Sequence, residues 1–485
     1  MRKTNRNIAY ASLDIGTSQV KLGVYYPILS NKIILINSLQ NELIYGLSGE
    51  VTAEYKVIRE KCFSLFAELS RFLKSNNINV LYLGICGHVS SLVEWNRIKG
   101  CPPEKPFPIW LDTTCYNSLD EYNTVMGNGK SKEIIGTFLP AGTNWLFTKL
   151  LHRRESGFSN DSIFLQVGDS IFFELCGKYS THFSSQISMI DLKTREYASV
   201  LLDHLNLDTS SFPSIDYAPY PVRETEKKLF DLPEESFVFP AMADMYTSLY
   251  GLRLEDNEGF MLANTSEQAG AFYVSPPKAM NNFLSISFEQ GFINYGSTNT
   301  GGNIVNWFLT NILKRKSSPE LLQKLTIEAA AINPENTPII LPYLQGERAP
   351  LWNSQLTASI HELNSSHTDV HLFRAILESI SFARKQCFEE LGINALNIVK
   401  LGGGSSKNSL WNAIRATVLN KTIAVADESE LAMAGIIHYI MEASVNSFSQ
   451  PAINFSIIKP VADMVSIYEE KYRKFIKYQK MIVEK

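Results

Sequence analysis

No stretch of this 485-residue chain is continuously apolar for the roughly 18 residues that a membrane-spanning helix needs, so no membrane span and no membrane partner is expected. The basic start, Arg2, Lys3 and Arg6 before an apolar run from Ile8, mimics a secretory leader only until Asp14 interrupts it, and a cytoplasmic location is the expectation. Cysteine is scarce. The six residues Cys62, Cys86, Cys101, Cys115, Cys176 and Cys387 form no C-x-x-C pair and join no histidine cluster, which speaks for reduced thiols and against a zinc site. An excess of one charge is also missing. A formal net charge of -4 argues against a nucleic-acid partner. Two common nucleotide signatures are absent. No G-x-G-x-x-G follows a strand, and Gly129-Lys130-Ser131 is no P-loop because Thr124 stands where the first glycine is required.

What is present is ample core material, 45% apolar and 11% aromatic residues, in a length that suits two or three domains. Residues 8–14, 20–26 and 31–38 read as strands, 53–74 as an amphipathic helix and 80–86 as a further strand. That β-β-β-α-β opening is not the strict alternation of a dinucleotide fold. A second hairpin follows at 259–264 and 269–274. Its turn, Asn264-Thr265-Ser266, parallels Gly16-Thr17-Ser18, with Asn264 read as a substitute for glycine in a left-handed position. Helices are expected over 304–313, 320–331, 370–391, 408–420, 430–441 and 462–478, and strands over 338–341, 398–401 and 423–425. The hint is of two related halves, 1–248 and 249–485, joined near 240–258 where Pro240, Asp244 and Gly251 precede the second hairpin.

Several segments carry chemistry. In Asp14-Ile15-Gly16-Thr17-Ser18 a strand ends in a carboxylate and turns through amides and hydroxyls, a way to meet phosphate oxygens and a magnesium ion, with Lys21 adding charge; an ordinary hairpin turn explains it equally well. Gly402-Gly403-Gly404-Ser405, before a helix opened by Asn408, has more glycine than a simple turn requires and suits close approach of a ligand. Asp244 lies among small apolar residues, where an acid is costly unless paired, exposed in a cleft or capping a helix. Ile109-Trp110-Leu111-Asp112 offers an aromatic face and an acid, which suits a sugar but also a buried tryptophan beside a surface aspartate. Glu347-Arg348 reads best as an ion pair fixing its loop.

Taken in order, these segments resemble the FGGY family of carbohydrate kinases over nearly the whole chain. The resemblance implies two ribonuclease-H-like, actin-like α/β domains with the active site in a central cleft. It implies ATP and Mg2+, with Gly16, Thr17, Ser18 and Lys21 as a first phosphate motif and Thr265 and Ser266 as a second. Gly301 and Gly302 then precede a helix that abuts the nucleotide, and Gly403, Gly404, Ser405 and Asn408 look like the adenosine motif. Asp14 and Asp244 would hold the metal, and Asp244 would be the general base. His88, Val89 and Ser90, with Trp110, Asp112 and Asp244, would bind the substrate.

The departures from the family lie on the sugar side. His88-Val89-Ser90-Ser91 replaces Gln-Met-His-Gly of xylulose kinases, and Asp112-Thr113-Thr114 replaces Asp-Thr-Arg. The expectation is therefore phosphorylation of a small sugar, leaning to a ketose of the xylulose or sedoheptulose type, with gluconate or a polyol as alternatives. A catalytically weak sugar or nucleotide sensor on the same scaffold is the reading from another class, and an actin-like ATPase without a sugar is a third. A homodimer is compatible with all of them.

Overall fold

The structure is a computed structural model that describes residues 7–275, 282–288, 291–392, 396, 398–444 and 449–483. Its contacts divide the chain into two units: Met1–Arg253 with Glu430–Ile453, and Leu254–Ser429 with Asn454–Lys485. The sequence places one junction at 248/249. Packing breaks the chain at 253/254 and returns a C-terminal helix to the first unit.

In the first unit, β1 (Ile8–Ile15), β2 (Gln19–Tyr25) and β3 (Ile34–Gln40) form an antiparallel meander. Helix α1 (Tyr55–Ser75) leads to β4 (Val80–Gly87), which runs parallel to β1. The short β5 (Tyr220–Pro221), β6 (Glu235–Val238) and β7 (Met242–Ala243) complete the sheet, in the order β5-β6-β4-β1-β2-β3 with β7 also on β4. Helix α2 (Asp244–Leu252) follows β7 without a break.

Strand alternation decides which helix covers which face. Ala9, Ala11, Leu13 and Ile15 of β1 and Leu81, Leu83 and Ile85 of β4 are buried in one core with Ile58, Cys62, Leu65, Phe66, Leu69 and Leu73, the apolar stripe of α1. The intervening Gly84 lies against Ile436 on the opposite face.

In the second unit, β8 (Gly259–Ala263), β9 (Glu267–Tyr273), β10 (Leu284–Phe288) and β11 (Gly291–Ser297) come first. Helix α3 (Gly302–Trp307) follows and continues as a π turn over Phe308–Ile312, inside the segment expected to be one helix. After α4 (Asp369–Glu390) come β12 (Ile398–Gly402), α5 (Ser409–Leu419) and β13 (Thr422–Ala426). Helix α6 (Leu431–Ala443) is the segment that packs in the first unit, and β14 (Phe455–Ile458) and α7 (Ala462–Val483) complete the second.

The sheet order of the second unit is β10-β11-β9-β8-β12-β13-β14. Its β8, β9 and β11 pair antiparallel as β1, β2 and β3 do, and β12 then β13 add parallel to β8 as β4 then β6 add to β1. Each sheet ends on an antiparallel edge strand, β5 or β14. The repeat that the Thr-Ser turns hint at is a repeat of whole-sheet topology.

No described helix is long and apolar enough to cross a membrane, and all six cysteines are free.

Candidate active site

Parallel pairing brings two carboxylates to the same end of the first sheet. In β4, Cys86 is the register partner both of Asp14 in β1 and of Met242 in β7. Asp14 therefore ends one neighbouring strand, and Asp244 comes just after the other. Asp244 is the first residue of α2, one position inside the cap, and its Oδ1 accepts the Met245 amide at 2.6 Å. Both side chains are half-buried. Burial, then repulsion from Asp244, raises Asp14 to about 7, against the pull of Lys21. Burial raises Asp244 to about 6. Lys21 is the register partner of Asp14 on β2, and its ammonium is held by Glu430 at 2.7 Å. The Cys86 thiol, kept protonated by burial and by both acids, points its sulfur at Asp14 Oδ1 from 3.8 Å.

The turn after β1 closes tightly, with the Gly16 amide on the Gln19 carbonyl and Asn41 bonding the carbonyls of Gly16 and Ser18. Neither Gly16 nor Asn264 has a positive φ, so the left-handed reading of Asn264 is overturned. Its side chain is what the position needs, because Asn264 Oδ1 accepts the Gly404 amide at 3.1 Å.

In the turn after Asp14, Thr17 Oγ1 accepts a bond from Trp110 Nε1 at 2.9 Å, tying the expected sugar motif to the expected phosphate motif. At the end of β4, His88 is 5% exposed with its Nδ1 buried and unpartnered, and burial lowers its pKa to about 4, so the ring is neutral. Val89 is half-buried. Ser90 is buried at φ 61°, a left-handed conformation uncommon for serine and of the kind that collects at functional sites. Asp112 is bonded within the fold. One carboxylate oxygen accepts the Val51 amide and the other accepts the amide and hydroxyl of Thr114, while Lys149 holds its carbonyl. Its visible work is to fix the loop that carries Trp110.

The nucleotide-type motifs of the second unit meet around the Asn264-Thr265-Ser266 turn. The Gly302 and Asn303 amides donate to the carbonyls of Asn264 and Thr265. A Cβ on Gly301 would stand 2.8 Å from the Thr265 carbonyl oxygen. Gly403, at φ 101°, needs to be glycine, and Ser405 Oγ donates to the Ala263 carbonyl at 2.9 Å. Asn408 caps α5 by accepting the Trp411 amide at 2.9 Å.

Sequence reasoning singled out Glu347 but passed over the other charges beneath these turns. Glu267, Glu347, Arg384 and Arg415 are each no more than 3% exposed. Arg415 bonds Glu267 and reaches Ser405 Oγ at 3.1 Å, and Arg384 bonds Thr300 Oγ1 at 2.8 Å. Glu347 accepts the Asn299 amide and the Thr300 hydroxyl. The expected Glu347-Arg348 partnership is one of backbone: Glu347 takes the Arg348 amide, and the Arg348 guanidinium reaches the Thr298 carbonyl. The available signal was Glu267 directly after Thr265-Ser266, an acid where the strand pattern calls for an apolar residue.

Among the described residues no group of three or more His, Cys, Asp or Glu is placed to hold a metal. Two carboxylates near enough for one to raise the other nonetheless fit Mg2+, which commonly takes one or two protein carboxylates and completes its shell with water and substrate phosphates.

Comparison with known proteins identifies the family. Residues 9–234 match the N-terminal domain of the FGGY family of carbohydrate kinases, and residues 259–441 match its C-terminal domain. The glycerol kinase of Aquifex aeolicus (strain VF5) is 22% identical over 449 residues, 87% of each chain. The ligand-bound xylulose kinase from Lactobacillus acidophilus superposes with a TM-score of 0.86 at 18% identity, and the gluconate kinase from the same organism with 0.85 at 18%, each covering 98% of both chains. That likeness shows the mixed α/β, ribonuclease-H-like and actin-like fold with two domains. The three relatives carry three different substrate names, so the substrate of this chain is not fixed by likeness. Duplicated sheets, paired carboxylates and both domain matches lead to one conclusion: the chain belongs to the FGGY family of carbohydrate kinases, and is a phosphotransferase acting on a sugar.

Proposed function

We propose that the protein transfers the γ-phosphoryl group of ATP to a hydroxyl of a small ketose, with Asp244 as general base. The observation that carries this reading is the placement of Asp14 and Asp244 at the same end of β1 and β7, the two strands paired with β4, with Asp244 raised to about 6. A base with that pKa is ionised at neutral pH yet basic enough to receive the proton of an attacking hydroxyl. The hydroxyl oxygen forms its bond to the γ-phosphorus as the bond to the β-γ bridging oxygen breaks. The proton passes to the Asp244 carboxylate, and ADP leaves.

Mg2+, held by Asp14 and Asp244, would neutralise charge on the phosphate oxygens. Gly16, Thr17, Ser18 and Lys21, with Thr265, Ser266, Gly301, Gly302, Gly403, Gly404, Ser405 and Asn408, are the proposed ATP contacts. In that set Asn408 acts through the helix it caps. His88, Val89, Ser90 and Trp110 are the proposed sugar contacts, with Asp112 supporting Trp110 from within the loop. None of these sugar-side residues is a cation, because His88 is neutral, and this favours an uncharged ketose over an aldonate.

The test is ADP release over pentuloses, hexuloses, heptuloses, polyols and aldonates, repeated with Asp244→Asn. The expected result is sugar-dependent ADP release with a ketose that vanishes in the folded variant. Full activity of Asp244→Asn would remove the assigned base.

A further inference from the structure

The strand that delivers Asp244 is gripped from the side by a turn that neither the phosphate nor the sugar motifs include. Residues Phe183–Gln186 form a single 3-10 turn capped by His182. Ser185 Oγ donates to the Ala241 carbonyl at 2.8 Å, and the His182 amide donates to the same oxygen at 3.1 Å. Ser184 Oγ accepts the Ala243 amide at 3.1 Å. Of the three residues before Asp244, two thus have a backbone group tied to this turn. His182, Ser184 and Ser185 are 2%, 5% and 3% exposed, so these bonds are made away from water.

Ser184 can accept from Ala243 because its own proton has somewhere to go. His182 Nδ1 lies 2.8 Å from Ser184 Oγ and 3.2 Å from the Ser184 amide nitrogen, and it accepts from both. A ring that accepts at Nδ1 carries its proton on Nε2 and is neutral. Burial, helped by Arg195, lowers its pKa to about 3, which keeps it so across the working range. The His182 ring also packs 5.2 Å from Tyr246, two residues beyond Asp244. The turn therefore holds the chain on both sides of the carboxylate: hydrogen bonds before it and a ring contact after it.

We infer that His182, Ser184 and Ser185 are positioning residues for Asp244, fixing the depth at which its carboxylate meets the reacting hydroxyl. The hydrogen-bond chain from His182 Nδ1 through Ser184 Oγ to the Ala243 amide is the working part, and the ring contacts of His182 serve the core. The inference rests on Asp244 being the base. It adds that the base depends on a histidine outside the proposed phosphate and sugar contacts.

The two roles of His182 can be separated by substitution. His182→Phe keeps a ring and loses the acceptor. His182→Asn loses the ring and keeps an acceptor near the position of Nδ1. ADP release is measured in the full chain with ATP and the acceptor of highest turnover among D-xylulose, sedoheptulose, D-gluconate and glycerol, below the melting temperature of every variant. His182→Phe and Ser184→Ala are expected to lower kcat about ten-fold, with KM for ATP and acceptor within about two-fold, because small displacements of a reacting group cost rate before they cost binding. His182→Asn is expected to stay within about three-fold of the parent kcat, because it restores the acceptor. Ser185→Ala, which acts on Ala241 alone, gives an independent reading if Ser184→Ala does not fold, and the same fall in kcat is expected. Unchanged kcat in His182→Phe and the serine variants would overturn the inference, as would equal losses in His182→Asn and His182→Phe. Asp244→Asn separates the two levels. If it is inactive while the turn variants are normal, only the positioning role fails; if it is active, the base assignment fails and this inference with it.

Discussion

Gly435 in α6 lies against Thr247 in α2 so closely that a Cβ at 435 would stand 1.7 Å from the Thr247 carbonyl oxygen. A reciprocal approach occurs at Gly251, where a Cβ would stand 2.6 Å from the Leu431 carbonyl oxygen. The helix that begins with Asp244 is thus seated on a helix from residues nearly two hundred positions later, with two glycines setting the separation. In an exposed helix Gly→Ala would gain roughly 1 kcal/mol. Here Gly435→Ala is expected to cost about 2 kcal/mol or more, since the contact is with backbone that cannot turn aside. Chemical denaturation of the variant checks this, and a stabilised protein would refute it.

Activity should depend on pH through the paired carboxylates. Asp244 acts as a base only when ionised, so kcat/KM for the acceptor should rise with pH through about 6 and level off above. Asp14, raised to about 7, must lose its proton to hold Mg2+, so the Mg2+ concentration for half-activity should fall as pH rises towards 7. Lys21→Met removes the nearby cation that opposes this shift and should raise that Mg2+ requirement at pH 7. A pH-independent Mg2+ requirement would refute the assignment.

The same shift has a consequence for stability, with a definite sign. The ordinary value for the Asp14 carboxyl is 3.8 and the folded value is about 7, so between these the folded state binds more protons than the unfolded state. Stability contributed by Asp14 therefore falls as pH rises from about 4 to about 7. Asp14→Asn should gain thermal stability relative to the parent across that window, and little at pH 3. Melting curves from pH 3 to 8 measure the difference.

The Glu267–Arg415 pair should be stability-critical. Removing one partner leaves a buried charge, and Arg415→Met or Glu267→Gln should each cost about 3–5 kcal/mol. The double variant should cost less than the sum, by about 0.5–3 kcal/mol, because the two residues share the loss. Additive losses in denaturant titrations would show that the pair is not coupled.

Trp110→Phe and Thr17→Val each remove the bond between Trp110 Nε1 and Thr17 Oγ1. A net worth of about 1 kcal/mol predicts a roughly five-fold fall in kcat/KM for either variant, and no further fall when the two are combined. A product of the two effects in the double variant would mean that the bond itself is not what matters.

Much of the fold was legible because its signals are local. The strand-turn-strand at Asp14, the apolar stripe of α1 and the glycines at 402–404 can each be read from their neighbours in sequence. One reading failed, and other features stayed out of view, where the deciding partner is distant. Asn264 was taken for a backbone device, but its side chain serves Gly404, 140 residues away. Asp112 reads as a sugar contact because aromatic-plus-acid is a sugar-binding pattern, and the bonds its oxygens accept from Val51 and Thr114 were not legible. The packing of α6 on α2 was out of view as well, because Gly435 and Gly251 permit a contact that no periodicity announces.

By itself the sequence determined the family, the order of the motifs and the two acids of the candidate site, because each rests on residue type and spacing along the chain. Only the tertiary structure decided that Asp14 and Asp244 stand at the same end of the two strands that pair with β4, that Cys86 lies on that shared strand and that the turn after His182 bonds the backbone just before the second acid. The reason is physical. Parallel strand register and burial set the distance between groups and the cost of their charges, and neither exists until segments far apart in the chain are packed together.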